Sequence, residues 1–126
     1  MLKNSKAFSS FSVDDLEKAK EFYSQTLGLE VTEEEMGVLT LHLSNGVEVM
    51  LYPKPNHEPA TFTILNFIVS NIEEIVDELT QKGVEFEQYD NEYMQTDEKG
   101  ISTQDGRSMA WFKDPAGNII GLLQTS

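Results

Sequence analysis

The residues Val13-Asp14-Asp15-Leu16 are answered by Val69-Ser70-Asn71-Ile72 at an offset of 72 − 16 = 56 positions. Each quartet places an apolar residue, a side chain able to cap a helix, and the first apolar residue of a helical spacing in the same order. Before the first quartet, 6–13 alternates as a strand, with Ala7, Phe11 and Val13 on one parity and Phe8, Ser10 and Ser12 on the other. After it, Asp14 or Asp15 offers an N-cap, Leu16, Ala19, Phe22, Tyr23 and Leu27 follow at helical spacing, and Gly28 is placed to end the helix. The second quartet has the same surroundings: a strand over 61–69, Asn71 as cap, Ile72, Ile75, Val76 and Leu79 on one helix face, Gly83, and a returning strand over 84–88. A strand–helix unit with one apolar sheet face must cover that face, so a duplicated unit predicts a paired architecture.

Each helix is followed by further strands. In the first half 29–32 reads as a short strand and Glu33-Glu34-Glu35 as a solvated turn. The segments 38–43 and 47–52 alternate around Ser44-Asn45-Gly46, whose Asn-Gly pair suits a tight hairpin. The stretch Pro53-Lys54-Pro55-Asn56-His57-Glu58-Pro59 holds three prolines in seven positions and reads as a stiff connector. The segment 89–106 is polar, acidic and without clear periodicity, which predicts a solvated loop; the competing reading is a lid that folds Tyr93 and Met94 over a pocket. A strand resumes over 107–113. The expectation is a single α+β domain, 1–126, built from two βαβββ modules at about 6–56 and 60–125.

Charge and composition exclude several function classes. Nine basic against 22 acidic residues leave a net charge of −13, with Arg107 the single arginine, so neither nucleic acid nor an anionic membrane surface is an expected partner. The chain has no cysteine, hence no disulfide, thiolate ligand or cysteine nucleophile. No apolar signal region follows the first residues and no run is long enough to span a bilayer, so a soluble cytoplasmic protein is expected. Gly-rich phosphate loops, a Gly-x-Ser-x-Gly elbow and His-Glu-x-x-His are all absent.

Near the end, the apolar runs of Met109-Ala110-Trp111-Phe112-Lys113 and Ile119-Ile120-Gly121-Leu122-Leu123 flank Asp114-Pro115-Ala116-Gly117-Asn118. Pro115 fixes φ, and the Asp114 and Asn118 side chains can bond their own backbone, so this is a hairpin. Together with the duplicated βαβββ pattern, it resembles the glyoxalase/bleomycin resistance protein/dioxygenase family, the vicinal oxygen chelate superfamily. The resemblance covers almost the whole chain. It implies a cupped mixed sheet with the helices outside, a cavity, and a homodimer.

The resemblance also implies where a metal would be held. Metal-using relatives carry a His or Gln eight residues before each helix-entry residue (16 − 8 = 8 and 72 − 8 = 64) and a carboxylate in the last strand of each module. In this chain those positions are Phe8, Ile64, Glu48 and Gly121, the last from 114 + 7 = 121. One ligand of four remains, too few for a catalytic divalent ion, so no cofactor is expected unless the register is wrong.

The inward parity collects Phe8, Ser10, Ser12, His42, Glu48, Met50, Tyr52, Ile64, Asn66, Ile119 and Leu123, apolar walls with a few polar groups, as in a small-molecule cavity. The competing reading is core filler in a closed fold, against which Asn66 weighs because a buried amide needs a partner. Trp111 and Phe112 take opposite faces of their strand, and parity does not say which points in. Of the two histidines, His57 in the connector is expected to be exposed; His42 is expected to be solvated, with a general acid–base pairing to Glu48 as the alternative. The leading functional expectation is metal-independent binding or sequestration of a small organic molecule, cationic or aromatic, in an antibiotic-resistance-like role. Two alternatives stand beside it: a lactoylglutathione-lyase-like or dioxygenase-like enzyme (lyase or isomerase) using Glu48 with or without a divalent metal, and a structural or regulatory dimer with no cavity ligand.

Overall fold

A computed structural model describes residues 1–125, and the chain divides into two compact units, Met1–Glu58 and a second from Pro59 onward. The first contains β1 (Ser9–Val13), α1 (Leu16–Glu21), β2 (Glu30–Glu33), β3 (Leu39–His42) and β4 (Glu48–Pro53). The second contains β5 (Thr63–Ile68), α2 (Ile72–Gln81), β6 (Ser102–Gln104), β7 (Arg107–Lys113) and β8 (Ile119–Thr125). The strand orders are β1-β4-β3-β2 and β5-β8-β7-β6, with the outer pairs β1/β4 and β5/β8 parallel and the others antiparallel. One topology therefore occurs twice, as the 56-residue offset implies.

Both helix entries are capped as their residue types dictate. Asp15 Oδ1 accepts the Lys18 N–H at 3.1 Å, and Asn71 Oδ1 accepts the Glu74 N–H at 3.2 Å. Beyond Glu21 the first helix widens into a π-helical turn over Phe22–Thr26, closed by the Leu27 N–H on the Phe22 carbonyl at 3.0 Å. This turn puts Tyr23 into the core, edge-on to Phe22 with centroids 5.3 Å apart. Val13, Leu39, Leu41 and Leu51 are buried on that same side of the first sheet.

In the second unit α2 lies on β7 and β8 and buries Ile72, Val76 and Leu79, while Ala110, Phe112, Ile120 and Leu122 form the sheet side of that core. Gln124 extends the contact by accepting the Ile72 N–H at 2.7 Å. Phe112 meets Phe86 edge-on at 5.4 Å, whereas Trp111, buried on the opposite face, meets Tyr89 at 5.5 Å.

Three expectations change here. The first strand starts at Ser9, so Phe8 lies outside it and is 65 % exposed. The expected strand over 84–88 reduces to a bridge between Phe86 and Phe112 and the Glu87 N–H bond to the Trp111 carbonyl at 2.8 Å. The strand that fills this place in the unit is β6, inside the segment read as a structureless loop. Its signal was the dipeptide Asp105-Gly106, whose φ values of +53° and +78° make the two-residue turn from β6 to β7.

The rest of that segment is also ordered. The Tyr89 N–H donates to Thr96 Oγ1 at 2.8 Å, and Asn91 Oδ1 accepts the N–H groups of Tyr93 and Met94, each at 2.9 Å. Lys99 reaches back to α2, bonding Glu73 at 2.9 Å and Asp77 at 3.2 Å, and the hydrogen bonds to Glu73 and then Asp77 raise its pKa above the ordinary lysine value. Among the described residues no helix is long and apolar enough to cross a membrane.

Candidate functional site

Each sheet has one face turned from its helix, and those faces carry the chemistry. In the first unit the pairs Ser10↔Met50, Met50↔Thr40 and Thr40↔Thr32 run in one row across all four strands. The next row places Glu48 opposite His42 and His42 opposite Glu30. Strand alternation explains the division: Val49 and Leu51 go to the core, while Glu48, Met50 and Tyr52 take the open side.

His42 is held from both ring nitrogens. Nδ1 stands 3.3 Å from Glu48 Oε2, and Nε2 is 2.8 Å from Thr32 Oγ1. Thr32 donates in turn to Glu34 Oε1 at 3.1 Å, which also accepts from Thr40 at 3.3 Å. An ionised Glu48 can only accept, so Nδ1 carries the hydrogen in that contact. The His42 and Glu48 side chains are 29 % and 54 % exposed, so this is a hydrated acid–base pair. Glu48 is consequently not the desolvated carboxylate that a closed cavity would hold.

His57 departs from expectation. It is half-buried, with Nδ1 2.6 Å from Ser12 Oγ, and so ties the proline-rich connector back to β1. Thr32 and Glu34 belong to the His42 network but were absent from the sequence-derived set. Glu34 had been read as part of a solvated turn; its contact with Thr32 is local, and the pairing of β2 with β3 brings it to Thr40.

In the second unit, pairing puts Asn66, Gly121 and Trp111 in one row, and Ile68, Leu123 and Met109 in the next. Ile119 and Leu123 are half-buried. Ile64 sits where the β5 register shifts between Thr63 and Leu65, so alternation does not assign it a face. Asn66 is exposed, which removes the argument that its amide is buried and in need of a partner.

The positions that the resemblance assigns to a metal do not suit one. Phe8 lies outside its strand, and Ile64 offers no donor atom. Gly121 is enclosed by its own neighbours: a Cβ built there would collide with Asn66 Oδ1 and stand 3.1 Å from Thr63 Cγ2. Gly121 itself supplies no side-chain donor, and the exposed Asn66 amide lies over it. Among the described residues, no three His, Cys, Asp or Glu side chains are grouped so as to hold a metal ion.

Comparisons with known proteins place this geometry. Solved structures with the same fold include TnmS3, an antibiotic binding protein from Streptomyces sp. CB03234, at 25 % identity over 98 % of both chains with a TM-score of 0.69. The fosfomycin resistance protein FosX from Listeria monocytogenes has 14 % identity, a TM-score of 0.72, and coverage of 98 % of this chain and 94 % of its own. A virulence protein from Salmonella typhimurium has 21 % identity over the full length of both chains and a TM-score of 0.67. None of the curated proteins matches the chain. The family profile described as Glyoxalase/Bleomycin resistance protein/Dioxygenase superfamily matches residues 8–122. With that match spanning nearly all of two βαβββ units of one topology, the chain belongs to the glyoxalase/bleomycin resistance protein/dioxygenase superfamily.

Proposed function

We propose that this protein binds and sequesters a small organic molecule without a metal, in an antibiotic-resistance-like role, as a cytoplasmic homodimer. The observation that carries the reading is that three of the four metal positions, Phe8, Ile64 and Gly121, hold residues with no side-chain donor atom. Likeness to an antibiotic binding protein and to a fosfomycin resistance protein supports it. The binding groups of the first unit are Ser10, His42, Glu48, Met50 and Tyr52; Asn66, Ile119 and Leu123 are those of the second. The homodimer rests on the exposed apolar side chains Phe8, Phe62 and Ile68, at or beside the edge strands β1 and β5. Light scattering should return 2 × 14.2 kDa; a monomer mass would remove the dimer.

The open face of the first unit favours cationic or neutral aromatics. Glu48 and Glu30 flank His42 in one row, Glu34 stands beyond Thr32, and the chain as a whole is strongly negative. Tyr52 adds an aromatic ring, for a cation–π gain of roughly 0.5–2 kcal/mol. In a thermal-shift panel of matched cationic, neutral and anionic aromatics, the cations should give the largest shifts and Glu48→Gln should reduce them. Largest shifts from anions in an Arg107→Gln background, or an unchanged Glu48→Gln, would refute the charge argument. Dialysed protein should hold no stoichiometric Zn, Ni, Fe or Mn; one equivalent per chain, lost in Glu48→Ala, would overturn metal independence.

The 3.3 Å approach of His42 to Glu48 favours a second reading, a metal-free lyase or isomerase in which this pair moves a proton. Solvent-deuterium exchange into α-hydroxy ketones, abolished by both His42→Ala and Glu48→Gln, would establish it, and no exchange would leave the binding role alone.

A further inference from the structure

We infer that the open face of the second unit, deepening the binding role proposed above, carries toward its β6 edge, where Met109 pairs with Leu123, a cleft of charge preference opposite to that of the first unit, suited to a small planar aromatic monocarboxylate with Arg107 as its anchor. The cleft has a volume of about 350 Å³ and is lined by Met94, Ser102, Gln104, Asp105, Arg107 and Met109. That is near the lower end of small-molecule sites, the size for a ligand of one or two rings.

Three observations set the ligand class. Arg107 is the only arginine of the chain, and among the described residues it makes no ion pair, not even with neighbouring Asp105. A guanidinium offers two parallel N–H groups to a carboxylate, a geometry no lysine reproduces. Met109 and Met94 supply the apolar surface, and thioethers make favourable contacts with aromatic rings. Asp105, on the same rim, disfavours a second negative charge, which selects a monoanion over a dianion.

The cleft is preformed. Met94 is fixed by the turn in which Asn91 Oδ1 accepts the Tyr93 and Met94 N–H groups, and the Met94 carbonyl accepts the Asn91 N–H at 3.0 Å. A bridge between Asp90 and Gln95 closes that turn. On the other side, Ser102↔Met109 and Gln104↔Arg107 are in register across β6 and β7, so these four residues share one sheet face. A ligand entering here does not have to order the loop, which removes a usual cost of binding. Sequence reading offered Met94 and Tyr93 as a lid; Met94 lines the cleft, and Tyr93 is exposed.

The test uses protein labelled with ¹³C at the methionine methyl groups, of which there are five, titrated with 2-naphthoate, 2-naphthamide and 2-naphthylmethylamine. Naphthoate should shift Met94 and Met109 and bind about tenfold tighter than the amide, equivalent to about 1.4 kcal/mol. Arg107→Gln, an exposed change checked for retained fold by circular dichroism, should bring naphthoate down to the amide's affinity, whereas Glu17→Gln, an exposed charge change on α1, should leave it unchanged. Equal binding of acid and amide, naphthoate affinity retained in Arg107→Gln, no response at Met94 and Met109, or a response at Met50 instead would overturn the inference. Met50 reports on the Glu48 face of the first unit, so failure of the amine to move Met50 would count against the proposed function and not against this cleft.

Discussion

Asp114→Ala is expected to cost about 3–5 kcal/mol, the largest loss from any single polar substitution in this chain. Asp114 is 4 % exposed and its partner Asn118 2 %, yet the carboxylate is fully used. Oδ1 accepts the N–H groups of Ala116 at 2.9 Å and Asn118 at 2.8 Å, and Oδ2 accepts the Asn118 side-chain amide at 3.0 Å. Removing it takes the acceptor from these donors in a buried place. The hairpin these bonds close joins β7 to β8, the two strands beneath α2, so the loss falls on the whole second unit. In urea unfolding the midpoint should fall accordingly, with a thermal midpoint lowered by roughly 10 °C or more. Asp114→Asn keeps one acceptor oxygen and should lose less. A change under about 1 kcal/mol for Asp114→Ala would show that the turn is held by Pro115 and Gly117 backbone preferences instead.

Gly100→Ala should follow at about 2–4 kcal/mol, through backbone strain and overlap together. Gly100 has φ +91°, and a Cβ there would lie 2.7 Å from Phe86 Cβ and 3.2 Å from the Glu87 carbonyl oxygen. Phe86 Cβ cannot yield without moving its backbone, and the Phe86 ring is seated against fully buried Phe112. The turn must then open, although Asp97 Oδ1 ties it through the Ile101 N–H at 2.9 Å. Because Ile101 leads directly into β6, the same substitution should weaken naphthoate binding in the Arg107 cleft. Gly106→Ala is the control: φ is +78° but no atom lies within 4 Å of the built Cβ, so strain alone acts, at about 1–2 kcal/mol. Equal losses for the two variants would mean that the contact with Phe86 contributes nothing.

What the chain's own sequence determined is what lies within a few residues. Asp15 and Asn71 cap their helices through N–H groups three positions ahead, and Asp114 closes its turn on residues two and four ahead. Such bonds depend on residue type and spacing alone, so both helix entries, the terminal hairpin and the repeated topology were legible, as was the family. Alternation also placed Glu48, Met50 and Tyr52 on one face and Val49 and Leu51 on the other.

Tertiary structure decided which rows meet. That Glu48 stands opposite His42, and Thr32 opposite Thr40, follows from strand register, which parity does not specify. His57 reaching Ser12 and Lys99 reaching Glu73 and Asp77 span chain separations over which local preference carries no information. The Asn66 side chain over Gly121 is likewise a product of parallel β5–β8 pairing between residues 55 positions apart (121 − 66 = 55). Side-chain chemistry was thus written locally, but whether two groups form a site depended on distances that only the packed sheets supply.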